Sequence, residues 1–218
     1  MGDLLFVLSK GKLGREADYL SWYGSRHLGD VKRVPGVDDG ALYTIAKPED
    51  AARWEVAARY PLSAPIGDVL GGLFARSGTA DMPLTDAIDG TSVLMLAASP
   101  IRERVRADGG ADRNDGTLFV VLTNATEGDD DTFNDWYNDR HIPDVLAVPG
   151  FIAAQRFTIS AAVPGQMSPW RYLSLYEVAP ENLEVSMADL QSRAGTDKMP
   201  LSPTLSNDVY ATLFARAA

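Results

Sequence analysis

The chain has 218 residues, of which 45% are hydrophobic and 23% are charged, a composition typical of a folded globular protein with a sizeable core and unlike that of a disordered chain. Its 30 acidic and 20 basic residues give a formal net charge of -10, which disfavours binding to nucleic acid or to an anionic membrane surface. Cysteine is absent, which excludes disulfides, thiolate nucleophiles and cysteine-bound metals.

The first half of the chain predicts alternating strands and helices. A short apolar run at residues 4–8 predicts a strand, and the acidic loop at residues 15–18 suits the start of a helix. This helix carries four aromatic residues at helical spacing: Tyr19, Trp22, Tyr23 and His27. After a Pro-Gly pair that should end the helix, the pattern predicts two strands, a second helix and a last strand, at residues 37–46, 53–60, 63–76 and 92–97.

The second half predicts the same order of elements. Residues 99–116 are rich in Arg, Asp and Gly and indicate a linker. A strand at 117–122 then precedes a helix that carries Phe133, Trp136, Tyr137 and His141. The remaining strands and second helix are predicted at residues 151–160, 170–178, 181–193 and 209–214.

Two blocks of sequence recur in the same order in both halves, which indicates an internal duplication. Trp22–Asp30 aligns with Trp136–Asp144 at a separation of 114 positions, with Trp-Tyr and Arg-His identical. Arg76–Leu84 aligns with Arg193–Leu201 at a separation of 117 positions. We therefore predict a first repeat at residues 1–98 and a second repeat at residues 117–218, joined by the linker at residues 99–116.

The order predicted for each repeat, β-α-β-β-α-β, is that of the ferredoxin-like fold, whose four-stranded sheet carries both helices on one face. The other face of the sheet must be covered, and the second repeat is the obvious cover. The predicted fold is therefore α+β, with two ferredoxin-like repeats packed sheet to sheet as a barrel. Such a barrel can form within a monomer, and a homodimer remains an alternative.

The sequence at residues 136–144, Trp-Tyr-x-x-Arg-His-Ile-Pro-Asp, followed by Val148–Phe151 and Arg156, resembles the EthD-like family of the dimeric α+β barrel superfamily. Single-unit members pair two chains face to face, and this chain resembles a tandem version. The superfamily includes cofactor-free monooxygenases, polyketide cyclases, muconolactone-type isomerases, dehydratases and dehalogenation-associated proteins. The resemblance implies a small hydrophobic substrate and no cofactor.

The two histidines, His27 and His141, occupy the same place in each repeat. Histidine has the side-chain pKa nearest to neutrality and is the default general acid or base, although a histidine near the end of a helix can also serve structure alone. Tyr23 and Tyr137 precede the histidines by four residues and face the same side of an α-helix.

The second repeat is the stronger candidate for catalysis. Pro143 is expected to break the helix beside His141 and to turn its ring toward a cavity, whereas the first repeat has Gly29 at that position. We predict His141 as acid or base and Tyr137 as its partner or as a proton donor. His27 and Tyr23 are predicted to contact the substrate.

Arg140 is a candidate contact for a substrate anion, or a structural residue paired with Asp144 at i+4. Trp136 and Asp144 are further candidates for substrate binding, and Asp144 is also placed to hold His141. Phosphate-binding loops are absent from the sequence. Two separate histidines with scattered carboxylates make a poor metal site, so we expect no metal.

The leading hypothesis is a cofactor-independent enzyme of lyase, isomerase or cyclase type that acts on a small hydrophobic, aromatic or polyketide-like metabolite. A cofactor-free monooxygenase of the same superfamily and a non-catalytic binding or accessory protein are the alternatives. Because the N-terminal residues contain no basic leader and no run of about eighteen apolar residues occurs, we expect a cytoplasmic protein.

Overall fold

A computed structural model describes residues 2–47, 52–110, 115–160 and 168–217. The chain forms two compact units. The first unit contains Met1–Pro100, Thr158–Pro169 and Arg216–Ala218, and the second contains Ile101–Phe157 and Trp170–Ala215.

The first unit is an antiparallel sheet with helices packed on it. Its elements are β1 (Leu4–Ser9), α1 (Glu16–Trp22), a π-helical turn (Tyr23–His27), α2 (Leu28–Lys32), β2 (Ala41–Ile45), β3 (Val56–Pro61), α3 (Ile66–Arg76) and β4 (Leu94–Pro100). The strands lie in the order β4-β1-β3-β2. Every residue of β1 is buried, which explains why this strand reads as a continuous apolar run.

The core of the first unit lies between its sheet and its helices. Leu5 and Val7 project from β1 into the same cluster as Tyr19 and Tyr23 from the helical turns and Val69 from α3. Residues two apart on a strand share a face, and residues three or four apart share a helix face, so the two periods in the sequence meet in this layer.

The second unit has the same order of major elements. They are β6 (Thr117–Thr123), α4 (Asp130–Trp136), a π-helical turn (Tyr137–His141), α5 (Ile142–Leu146), β7 (Phe151–Ser160), β8 (Tyr172–Val178), a 3₁₀ turn (Pro180–Asn182), α6 (Leu183–Arg193) and β9 (Tyr210–Arg216). The order of the strands is β9-β6-β8-β7-β5. The additional strand β5 (Val105–Arg106) pairs with β7 and lies inside the segment predicted as a linker; residues 111–114 of that segment lie outside the described residues.

The positions of the strands and helices follow the sequence patterns closely, and β7 has the predicted bounds. The prediction that Pro143 breaks its helix is wrong, because Pro143 is the second residue of α5 and the helical path continues to Leu146. Proline is tolerated in the first turn of a helical segment, where its missing N–H is least needed. Gly36 and Gly150 follow the helices with φ of 89° and 94°, a conformation that favours glycine.

Candidate functional site: a histidine on an apolar cavity

Both Trp-Tyr-x-x-Arg-His motifs form the same irregular helix. The residues from tyrosine to histidine make a π-helical turn in each unit, at Tyr23–His27 and Tyr137–His141. A π turn brings residues five apart close together and is common at functional sites. The sequence spacing predicted an ordinary α-helix, so the widened turn is a feature that the sequence did not reveal.

The π turn places each histidine against two aromatic rings. His27 stacks on Trp22 with ring centroids 4.4 Å apart and meets Tyr23 edge to face at 4.9 Å. In the second unit, the His141 ring lies 4.9 Å from Trp136 and 4.8 Å from Tyr137. Each π turn therefore brings a tryptophan, a tyrosine and a histidine together, and the tryptophan provides the stacking surface. The sequence spacing predicts the tyrosine beside the histidine but does not place the tryptophan there.

The tyrosine of each motif is tied to the adjacent sheet. Tyr60 donates a hydrogen bond of 3.1 Å to the hydroxyl of Tyr23, and Tyr176 donates one of the same length to Tyr137. Burial raises the pKa of Tyr23, Tyr60 and Tyr176 above the ordinary value of 10.0. These hydroxyls therefore stay protonated at neutral pH and hold the histidine-bearing helix on the sheet.

Both histidines are uncharged at neutral pH. Burial lowers the pKa of each from 6.5 to about 4; nearby Asp30 partly offsets this effect at His27, whereas Arg156 adds to it at His141. Within the described residues, the Nδ1 atoms of both rings are buried and make no hydrogen bond. A neutral imidazole is able to accept a proton.

An apolar cavity of about 220 Å³ lies in the first unit between the helices and the β1–β4 edge of the sheet. His27 and its aromatic neighbours Trp22 and Tyr23 line one wall. The opening is marked by Phe74 and Leu84, which line the cavity and are 49% and 60% exposed. None of the described residues that line it carries a charge at neutral pH, so the cavity suits a neutral, hydrophobic ligand.

The corresponding wall in the second unit is built differently. Phe119 replaces Leu5, and its ring lies 6.0 Å from that of Tyr176. His141 does not line the cavity of the first unit, and it does not line the depression beside α5 that contains Pro143 and Phe151. The catalytic roles predicted for His141 and Tyr137 remain predictions.

The arginine of each motif connects its helix to a neighbouring surface segment. Arg140 Nε lies 2.7 Å from Asp144 Oδ2, the i+4 pair expected from the sequence, and Arg140 Nη2 donates to the Asp197 carbonyl at 3.2 Å. Arg26 makes the same two contacts, to Asp30 and to the Ala80 carbonyl. The arginines thus fasten the second repeated block of each half to the helix. A substrate contact for Arg140 or Asp144 remains a prediction.

Sequence reasoning missed two groups of residues at the cavity. Tyr19 and Ser9 form a buried hydroxyl pair at 2.7 Å, and burial raises the pKa of Tyr19 to about 12. Met82 and Leu84 enter the cavity wall from the second repeated block. The recurrence of that block in both halves was the signal that could have identified it.

Among the described residues, none of the helices is both long enough and apolar enough to cross a membrane. In the same part of the chain, no three His, Asp or Glu side chains are grouped so that they could hold a metal ion.

Comparison with known proteins relates this chain to solved structures. No family model matches it, and no curated protein sequence matches it. A structure named an anthrone oxidase-like protein superposes with a TM-score of 0.62 at 12% identity, covering 99% of this chain and 91% of that one.

Two further matches have the same general fold. A putative monooxygenase from Lactobacillus acidophilus gives a TM-score of 0.53 at 10% identity over 98% of this chain and 93% of its own. A variant of chlorite dismutase from Candidatus Nitrospira defluvii gives 0.58 at 12% identity over 99% of this chain and 91% of its own. At these identities the likeness shows the fold alone: this chain has an α+β fold of the dimeric α+β barrel type.

Proposed function

We propose that this protein is a cofactor-independent enzyme that removes a proton from a small, neutral, hydrophobic substrate held in the cavity of the first unit. The observation that carries the proposal is the position of His27, an uncharged imidazole on the wall of an apolar cavity. Lyase, isomerase and cyclase reactions on aromatic or polyketide-like metabolites can all begin with this step.

The cavity favours one class of substrate. Its walls are formed by aliphatic and aromatic side chains, and no described lining residue offers a cation to a carboxylate or phosphate. Transfer of a charged group into such a site costs several kcal/mol without a partner. A neutral ketone, phenol or diketone fits this environment, and His27 provides the acceptor for its proton.

Because His27 is a weak base, it can remove only a proton that is sufficiently acidic. Transfer from a phenol-like group of pKa about 10 to a base of pKa about 4 is uphill by about 8 kcal/mol, at about 1.36 kcal/mol per pKa unit. A turnover of about 10 per second corresponds to a barrier of about 16 kcal/mol. A proton of pKa about 16 would thus account for the whole barrier. An ordinary ketone C–H is less acidic than this, so the reacting C–H must lie between a carbonyl and an aromatic ring or between two carbonyls.

We assign the second unit a lesser role within this proposal. His141, with Tyr137, would act as an equivalent base if a ligand reached it, and Trp136, Arg140 and Asp144 would form its frame. The tandem duplication and the EthD-like resemblance are consistent with this assignment, since two copies of one motif provide two sites free to diverge.

A second candidate function is cofactor-free oxygenation. It is favoured by the names of matched structures, an anthrone oxidase-like protein and putative monooxygenases. After His27 removes a proton, the electron-rich carbanion would react with O₂; one oxygen atom would enter the substrate as a carbonyl, and the other would leave as water. Consumption of O₂ distinguishes this reaction from elimination or isomerisation.

The test uses 2-tetralone, a neutral bicyclic ketone, as a probe in D₂O. We expect the wild-type protein to catalyse deuterium exchange beside the carbonyl, and we expect His27→Gln to slow it by at least 100-fold, the lower range for loss of a general base. His141→Gln is the matched control, because the same motif is altered away from the cavity, and it should retain most of the exchange.

Other outcomes separate the alternatives. Oxygen uptake that depends on His27 would favour the oxygenase. Tight binding of the probe without exchange or oxygen uptake, unchanged in His27→Gln, would contradict the enzyme proposal and favour a non-catalytic binding protein.

A further inference from the structure

Arg156 is a buried cation in the second unit that the proposed function does not use. It lies on β7, its exposure is 0%, and it is among the largest fully buried side chains. Its guanidinium carbon sits 3.9 Å from the ring centre of Tyr137, with Phe133 and Tyr172 at 5.3 and 5.4 Å. Three aromatic rings therefore surround the cation between the sheet and α4.

Only one end of this guanidinium is satisfied within the described residues. Nη1 donates a hydrogen bond of 2.9 Å to Asn138 Oδ1. Nε and Nη2 are buried and have no partner. These two atoms share one edge of the planar group, the edge whose parallel N–H bonds bind a carboxylate in the bidentate manner.

Among the described residues, the groups that act most strongly on the charge of Arg156 include no carboxylate. The described groups that influence its charge are Tyr137, Tyr172, Tyr176 and a second cation, Arg102. A buried ion without a counterion destabilises the folded chain, and so do buried N–H donors that lack an acceptor. A bound anion would offset both penalties at once.

The first unit shows that the fold does not require this cation. Leu42 occupies the position of Arg156, and Leu42 pairs with Ala58 in the sheet. In the second unit, the position of Ala58 is taken by Ser174, whose hydroxyl is also buried without a partner. Ser174 pairs with Val121 as Ala58 pairs with Val7. Polar residues therefore stand at two buried positions where the first unit has apolar ones.

We propose that the Nε/Nη2 edge of Arg156 binds a small monovalent anion inside the second unit, either a halide or a short carboxylate. The fork of two N–H donors supplies the charge and the direction, and the aromatic rings of Tyr137 and Phe133 exclude water. The Ser174 hydroxyl is the additional donor available on the sheet. Larger anions are excluded because the edge is fully buried.

Chloride and formate are the probes for this site. With wild-type protein, we expect broadening of the ³⁵Cl NMR signal that saturates and is reversed by competing anion. At a probe concentration of ten times its Kd, we also expect the melting temperature to be about 3 °C higher than in gluconate at the same ionic strength. Gluconate serves as the reference because it is too large for the site. Reversal by formate at concentrations below those of chloride would identify a carboxylate site, and the opposite order would identify a halide site.

Arg156→Leu, which installs the residue of the first unit, should abolish broadening and the thermal shift. Arg15→Leu, which removes an exposed arginine of the first unit, should preserve both. Arg156→Lys keeps a cation but lacks the two-donor edge, and it should weaken formate binding at least tenfold; it serves as the test if Arg156→Leu does not fold. Equal chloride broadening in wild type and Arg156→Leu, unchanged formate affinity in Arg156→Lys, or no saturable broadening in wild type would overturn the proposal.

Discussion

The two buried histidines should make the stability of this protein depend on pH in a specific window. Burial lowers the pKa of His27 and of His141 from 6.5 to about 4. The unfolded chain therefore binds more protons than the folded chain between these pH values, and stability is lost as pH falls through that window. From pH 7.5 to pH 4.5, each histidine should lower the free energy of unfolding by about 2.5 kcal/mol.

Urea unfolding at a series of pH values measures this effect. Wild type should lose about 5 kcal/mol between pH 7.5 and 4.5, whereas His27→Gln and His141→Gln should each lose about half as much, because each lacks one of the titrating groups. Carboxylates held at low pKa, such as Asp130 and Asp189, contribute at lower pH, since their stabilisation is lost only as they are protonated. Identical pH dependence in wild type and in a variant that combines His27→Gln with His141→Gln would refute the assignment of buried, neutral histidines.

Three further outcomes are expected. Gly150→Ala should destabilise the protein by about 3 kcal/mol in urea unfolding, because φ is 94° and a Cβ would lie 2.1 Å from a serine oxygen. Gly14 has a φ of 77° but open space around it, so Gly14→Ala should cost about 1 kcal/mol. Equal losses of stability in the two variants would contradict the packing argument. Tyr60→Phe should cost about 1 kcal/mol through loss of its buried hydrogen bond, and an unchanged unfolding midpoint would show that the bond is not stabilising. Arg26→Leu should speed amide hydrogen exchange near Ala80, whose carbonyl it holds at 3.1 Å, with little change elsewhere; unchanged exchange there would show that the loop is held by other contacts.

The order of the elements was predictable because each segment carries a clear hydrophobic period. The continuous apolar run at β1 indicates a strand, and the spacing of the aromatic residues that follow indicates a helix. The stacking of Trp22 on His27 was not predictable. In an ordinary α-helix the ring of His27 would meet Tyr23, four residues earlier, whereas a π turn also brings it to Trp22, five residues earlier. A π turn is stabilised by the tertiary contacts of its widened face. A local sequence pattern does not indicate these contacts.

The sequence pattern also did not indicate which repeat contains the cavity. Pro143 suggested the second repeat, yet proline is accommodated inside the helical path. The cavity instead depends on how the second repeated block brings Met82 and Leu84 toward His27. The burial of Arg156 was equally unpredictable, because arginine on a strand usually reaches solvent.

The most direct test of the central claim is NMR observation of the two histidine rings in the free protein and with saturating 2-tetralone. The chain contains 2 histidines, so His141→Gln leaves a single signal that belongs to His27. We predict that His27 titrates near pH 4 in the free protein and that the ligand shifts its ring resonances while leaving those of His141 in place. A His27 ring that titrates near pH 6.5, or a ligand that perturbs His141 alone, would contradict the account.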